Sequence, residues 1–234
     1  MEGTGPMKTM RRLAIFDLDN TLLTGDSEVM WVDFLLTRGE LDDTFAAGNA
    51  DMDRRYHEGS ATPAEFCAFY ASTFAGRSPE EWASVRATFF EQVVRPRLPA
   101  AAFELVQQHR DTGDLLVLST AASRFLSEPS AAAFGFSHLV ATEMRQHDDG
   151  RFAGETQGTL NMREGKVTRL LAWLDDQGLG TDALADAVFY SDSINDLPLL
   201  RSVGQPVAVD PDNRLRAEAQ AAHWPILQLN RALA

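Results

Sequence analysis

Arg12-Leu13-Ala14-Ile15-Phe16 runs without a break into Asp17-Leu18-Asp19-Asn20-Thr21. A short apolar segment that ends abruptly in carboxylates is the pattern of a buried parallel strand. Its polar continuation then lies at the strand's carboxyl end, where open α/β sheets bind their ligands. Residues 115–119, 138–142, 187–190, 206–209 and 225–229 read as further strands. Amphipathic segments separate them. Ala102, Leu105, Val106 and His109 form one helical stripe, stopped by Gly113. Val167, Leu170, Leu171 and Leu174 form another, ended by Gly178. Residues 151–160, with Gly154 and Gly158, read as a small hairpin or flap. Strands alternating with helices predict an α/β fold with a doubly wound, mostly parallel, Rossmann-like sheet.

The rhythm is interrupted after the first strand. Residues 27 to 95 read as helix throughout. Thr62-Pro63-Ala64-Glu65 and Ser78-Pro79-Glu80-Glu81 are capping boxes with proline at the first helical position. The first opens a helix with Phe66, Phe69, Tyr70 and Thr73 on one face; the second opens one with Trp82, Val85, Phe89 and Val93. Arg95-Pro96-Arg97-Leu98-Pro99 reads as a stiff linker suited to a hinge. The expected organisation is a catalytic core of residues 11–24 and 97–234 with an inserted all-helical cap, 25–96. Residues 1–10 read as a disordered lead or tag remnant, with Met7 or Met10 as a natural start.

Of 234 residues, 44% are hydrophobic and 24% charged, and 21 Lys and Arg against 34 Asp and Glu give a net charge of −13. The acid surplus argues against nucleic acid as partner and against an anionic membrane surface. No apolar run approaches a membrane span, and the amino terminus lacks the apolar region of a secretory signal. A single cysteine, Cys67, forms no internal disulfide and no Cys-type zinc site. These features point to the cytoplasm.

Two acidic clusters follow two separate buried strands: Asp17 and Asp19 after the first, Asp192 and Asp196 after residues 187–190. In a parallel sheet they converge on one edge, where like charges repel and call for a cation. Hard oxygen donors with room for water suit Mg²⁺. Lys166 sits at a helix amino terminus against the macrodipole, a placement that asks for an anion or a carboxylate. Thr120, just past the strand expected to end at 119, offers a hydroxyl and N–H to a phosphate oxygen at the next helix start. Ser119 is the competing choice. Together these groups suit phosphoryl transfer: a carboxylate attacks phosphorus, cations neutralise the oxygens, and a second carboxyl moves the proton.

Asp17-Leu18-Asp19-Asn20-Thr21, Thr120, Lys166 and Ser191-Asp192-Ser193-Ile194-Asn195-Asp196 resemble, in order, the four motifs of the haloacid-dehalogenase-like hydrolases. The resemblance covers residues 12 to 230. It is nearest the branch with a helical cap between the first two motifs, which includes the phosphoserine phosphatases. It implies that Asp17 is nucleophile and Mg²⁺ ligand, and that Asp19 is acid/base and gives its backbone carbonyl to the metal. It makes Asp192 the third ligand with Asp196 in support, and gives Thr120 and Lys166 the phosphate, with Lys166 also restraining Asp17.

Thr120-Ala121-Ala122 and Ser191-Asp192-Ser193 stand where phosphoserine phosphatases carry Ser-Gly-Gly and Gly-Asp-Gly. The added Cβ atoms narrow the backbone approach and turn the expectation away from phosphoserine. Asp26 stands where an acidic residue holds the substrate ammonium in those enzymes; capping of the following helix is the equal alternative. Gly25-Asp26-Ser27 with Trp31 is similar to a bacterial group containing histidinol-phosphate phosphatases. The resemblance therefore implies hydrolysis of a small, amine-bearing phosphate ester, histidinol phosphate ahead of phosphoserine, with Asp26, Glu28 and Asp33 as partners for its cationic groups. The alternatives are a phosphotransferase or mutase on the same site, or a non-catalytic module retaining the fold. Arg54 and Arg55 read as a solvated face; His57, His109, His138, His147 and His223 as structural; and Cys67 as buried and inert.

Overall fold

The computed structural model describes residues 11–229 and 231. The expected lead, 1–10, lies outside them. Seven strands form one sheet in the order β4-β3-β2-β1-β5-β6-β7. They are β1 (Leu13–Phe16), β2 (Leu115–Ser123), β3 (His138–Gln146), β4 (Phe152–Gln157), β5 (Val188–Ser191), β6 (Gln205–Val209) and β7 (Ile226–Leu227). Every neighbouring pair is parallel except β3 and β4; the hairpin expected within residues 151–160 is not formed there, because 152–157 is one strand that pairs antiparallel with β3. β1 is fully buried, and its alternation sorts two interiors. Ala14 and Phe16 face a core shared with α1 (Ser27–Thr37), α4 (Pro79–Phe89), α5 (Ala100–Asp111) and α6 (Arg124–Phe134). Leu13 and Ile15 face one shared with α7 (Glu164–Asp176), α8 (Leu197–Leu200) and α9 (Asn213–Ala221).

Between β1 and β2 the strands give way to helices: α1, α2 (Asp43–Glu58), α3 (Pro63–Ser72) and α4 in the insertion, then α5 leading into β2. Both capping boxes form, on Thr62 with Glu65 and on Ser78 with Glu81. Trp31 of α1 lies among Phe34, Phe74, Trp82 and Phe89, and donates its indole N–H to Thr73 Oγ1 at 3.2 Å. This cluster is continuous with the core around Phe16 and Leu118, so the hydrophobic interior does not break where the insertion begins. A smaller cluster joins α2 and α3 through Met52, Phe66, Cys67 and Tyr70.

Three expectations are corrected. β2 runs to Ser123 rather than 119, because it continues past a bulge: Thr120 pairs with Ala141 and Ser123 with Thr142. Residues 95–99 are not linker throughout: only Leu98 and Pro99 leave the helical coil. Helix α4 passes into a π-helical turn, Phe90–Val94, and a 3₁₀ turn, Arg95–Arg97, where Pro96 is tolerated at an early helical position, and Leu98 is buried. The last strand is only Ile226–Leu227.

Strand β4 also engages the insertion. Phe152 of β4 accepts the Gly76 N–H and donates to the Arg77 carbonyl, both at 2.9 Å. Arg151 binds Glu81 at 2.7 Å and the Gly76 carbonyl at 2.6 Å. Gly154, at φ +74°, lets β4 come this close, since a Cβ there would stand 2.9 Å from Ala75 Cβ.

Candidate active site

β1 and β5 lie side by side with Phe16 in register with Tyr190, and the Asp17 N–H donates to the Tyr190 carbonyl at 2.9 Å. Register alone therefore brings Asp17 next to Asp192. Thr21 ties them together. Its Oγ1 lies 3.2 Å from Asp17 Oδ2 and 3.0 Å from Asp192 Oδ1, and it accepts the Asp192 N–H at 3.0 Å.

Lys166 is buried in the first turn of α7. Its ammonium donates to Asp17 Oδ1 at 2.9 Å and Asp196 Oδ2 at 2.7 Å, and Ser191 Oγ adds a third contact to Asp196 at 2.8 Å. The carboxylates that its position against the dipole called for are thus both present. Gly165 makes room, since a Cβ there would overlap the Leu160 carbonyl oxygen.

Asp19 Oδ1 accepts the Ser27 N–H at 2.8 Å, and its Oδ2 lies 3.4 Å from Thr120 Oγ1. Thr120 lines the cavity from within β2, not from a helix start. Ser119 does not line it; its Oγ accepts from Asn161, which also holds the Thr120 and Val140 carbonyls. Strand alternation thus sends Thr120 to the cavity and Ser119 away from it.

Electrostatics follow from burial. Desolvation pushes the Asp17 carboxyl up to about 6, helped by Asp196 and opposed by Lys166. Asp19 and Asp192 are both driven well above the usual carboxylate range, mainly by desolvation; Asp26 and Asp17 add to the rise in Asp19, and Asp17 and Asp196 to that in Asp192. Burial pulls the Lys166 ammonium down, but Asp17 and Asp196 outweigh it and leave its pKa above normal. Among the described residues no three His, Cys, Asp or Glu side chains form a metal cage. The donor set is two neighbouring carboxylates, Asp17 and Asp192, with the main-chain carbonyl of Asp19 close in sequence. All are hard oxygens, in a cluster short of positive charge and few enough to leave positions for water and phosphate, which fits Mg²⁺.

These groups open on a cavity of about 270 Å³. Beyond Asp17 it is lined by Asp26, Glu28, Tyr56, His57 and Phe66, and no arginine is among the lining residues. Asp26 does cap α1, its Oδ1 accepting the Glu28 and Val29 N–H groups at 2.9 and 3.1 Å, while also lining the cavity. Asp33 does not reach the cavity: it is exposed and accepts from Asn49 at 3.0 Å, because the following turns of α1 carry it to the outer face. His57, read from sequence as structural, instead lines the cavity. Its Nδ1 donates to the Asp53 carbonyl at 2.9 Å near the end of α2.

Arg54 and Arg55 pair with Asp51, Glu58 and Glu65 on the surface. Cys67 is buried, and desolvation pushes its thiol up to about 12. Glu28 is the residue whose importance the sequence understated. It is buried, one oxygen accepts the Ser123 N–H at 2.7 Å, the other has no partner among the described residues, and desolvation pushes its pKa up to about 7. An acidic residue in the first turn of an otherwise apolar helix was the available signal.

Comparison with known proteins places the chain among relatives of the same fold. A histidinol-phosphatase of Neisseria meningitidis serogroup C (strain 8013) is 37% identical over 219 residues, covering 93% of this chain and 99% of the relative. A Bordetella pertussis Tohama I protein of unknown function has a crystal structure that superposes with a TM-score of 0.87 at 42% identity, covering 94% of this chain and 99% of that one. A phosphoserine phosphatase captured as a phospho-aspartyl intermediate analogue shares the fold, with a TM-score of 0.69 at 15% identity and 94% coverage of both chains. The family model for haloacid dehalogenase-like hydrolase matches residues 14–201, and the chain belongs to that family.

Proposed function

We propose that this chain is a Mg²⁺-dependent phosphomonoesterase working through an aspartyl-phosphate on Asp17, with histidinol phosphate as its substrate. Asp17 Oδ2 attacks phosphorus while Lys166 holds Oδ1 and fixes the carboxylate's rotation. Asp19, with a carboxyl pushed well up by burial, is protonated to begin with and gives its proton to the leaving alcohol oxygen. The same carboxylate then takes a proton from the water that hydrolyses the acyl phosphate. Thr120 Oγ1 and Lys166 bind phosphate oxygens. Asp17, the Asp19 carbonyl and Asp192 would hold Mg²⁺, with Asp196 keeping Lys166 in place. When bound, the metal neutralises charge on the equatorial phosphate oxygens. Residues 25–96 serve as the cap over this site, and 11–24 with 97–234 as the core. The compartment is the cytoplasm and the partner a small molecule.

The observation that carries the substrate is the charge of the cavity wall. Asp26 and Glu28 stand beyond the phosphate groups, and no arginine faces them. Such a wall favours an ester whose far end is cationic and disfavours a second anion such as the carboxylate of phosphoserine. The rings of Tyr56 and Phe66, with centroids 4.7 Å apart and planes tilted by 36°, offer aromatic surface to an imidazole. The identity to the Neisseria histidinol-phosphatase supports the same choice.

The test is a panel of histidinol phosphate, phosphoserine, phosphoethanolamine and p-nitrophenyl phosphate on wild type and Asp17→Asn. Histidinol phosphate should exceed phosphoserine in kcat/KM by about 100-fold, and Asp17→Asn should lose on the order of a thousandfold or more on all four. Equal use of phosphoserine would overturn the substrate; activity surviving in Asp17→Asn would overturn the mechanism.

A further inference from the structure

Arg231 lies near the carboxyl terminus, far in sequence from every motif of the site, yet its guanidinium is spent on the catalytic turn. Nη2 donates to the carbonyls of Asn20 at 2.5 Å and Thr21 at 3.2 Å. Nη1 reaches the Leu23 carbonyl at 3.3 Å and Thr24 Oγ1 at 3.5 Å. Nε donates to Asp210 Oδ2 at 2.8 Å, on the loop after β6. Two of the residues it grips are non-glycine residues at positive φ: Asn20 at 57° and Asp210 at 41°. Conformations of that kind persist only where neighbours hold them.

The grip closes a ring. From Arg231 the path runs to the Thr21 main chain; from Thr21 Oγ1 to Asp17 and Asp192. From the Asp192 carbonyl it runs to the Asp212 N–H at 2.9 Å, and Asp212 Oδ2 also accepts the Ile194 N–H at 2.7 Å. Two residues back, Asp210 returns to Arg231. The two loops carrying Asp17 and Asp192 are therefore joined twice: directly through Thr21, and again through Arg231 and the 210–212 segment, whose Asp210 and Asp212 themselves line the cavity. Arginine suits the task, because its planar fork presents five donors in fixed directions, which lysine does not.

We infer that Arg231 is a positioning residue of the active site, a clasp that sets the separation of the Asp17 and Asp192 carboxylates from outside the cavity. It touches neither substrate nor metal. It acts through the main chain of residues 20–24, and the inference rests on the phosphatase reading of the site. Losing the clasp frees the Asn20–Thr21 peptides, lets Thr21 turn, and loosens the oxygen pair that would take the cation. Groups behind metal ligands typically contribute ten- to a hundredfold in affinity or activity.

The experiment compares wild type, Arg231→Ala, Arg231→Lys and Asp210→Asn. Mg²⁺ binding is read by calorimetry without substrate, and kcat and KM are read with p-nitrophenyl phosphate. Arg231→Ala should bind Mg²⁺ about tenfold more weakly and lose about tenfold in kcat, with KM little changed. Guanidinium chloride well below denaturing concentration should restore much of both in Arg231→Ala and nothing in wild type. Arg231→Lys should recover only part, and Asp210→Asn should move Mg²⁺ affinity the same way by less. Unchanged Mg²⁺ affinity and kcat in Arg231→Ala would overturn the clasp while leaving the phosphatase reading intact. So would a loss that tracks a lowered melting temperature and does not respond to guanidinium. A wild-type chain that neither binds Mg²⁺ nor hydrolyses the ester would overturn both.

Discussion

Glu28 shows at the residue scale what burial does to a carboxyl group. Its Oε2 has no partner among the described residues, and desolvation lifts its pKa from 4.5 to about 7. The folded protein therefore binds a proton more tightly than the unfolded chain does. The stability this contributes is fully present below pH 4.5 and is lost as pH rises through about 7. Glu28→Gln keeps an acceptor for the Ser123 N–H and cannot ionise. Its melting temperature should match wild type near pH 4.5 and exceed it above pH 7, where the difference amounts to about 3 kcal/mol at most. Thermal melts across that interval check this; a gap that does not vary with pH would refute it. Glu28 also shows where sequence reading falls short. The four motifs are legible because their chemistry is local to a strand end or a helix start. Glu28 carries a local signal, an acid in the first turn of a largely apolar helix, but not its burial; His57 and Arg231 acquire their places only from what folds against them, and nothing in their immediate neighbours announces it.

At the scale of elements, helices were legible wherever capping chemistry was explicit, as at Thr62 and Ser78, and strands wherever β-branched runs were short and buried, as in β1 and β5. What escaped was length. β2 outlasts its apolar run because Thr142 Oγ1 holds the Ala121 carbonyl at 2.7 Å and the ladder resumes past the bulge at Ser123, interactions supplied by residues some twenty positions away. Residues 95–97 stay helical because they continue the coil of α4, and Leu98 just past them is buried. The contact of β4 with the insertion was equally invisible, since it depends on the empty Cβ position of Gly154. Gly154→Ala should therefore cost more stability than Gly150→Ala. Both sit at positive φ, a strain of about 1–2 kcal/mol for alanine, but only residue 154 also meets Ala75. Urea denaturation of the two variants tests this, and equal losses would show that the close approach contributes nothing.

Over the whole molecule, one sheet edge gathers Asp17, Asp192 and Asp196, with Lys166 paired to Asp17 and Asp196 only, and on the proposed reading a divalent cation would offset the remaining negative charge. A ligand that binds only the native state stabilises it by about 2.7 kcal/mol at a hundred times its dissociation constant. Mg²⁺ should therefore raise the melting temperature of wild type, and the rise should disappear in Asp192→Asn. An equal rise in that variant would place the ion elsewhere. The insertion is fastened at two kinds of place. Its aromatic cluster around Trp31 is part of the main core, and β4 is hydrogen-bonded to Gly76 and Arg77. A panel secured along both sides cannot swing as one piece. Tyr56 and His57 of the cavity wall sit on α2, which is joined to α1 through Gly39, where φ is 70° and an added Cβ would meet nothing within 4 Å.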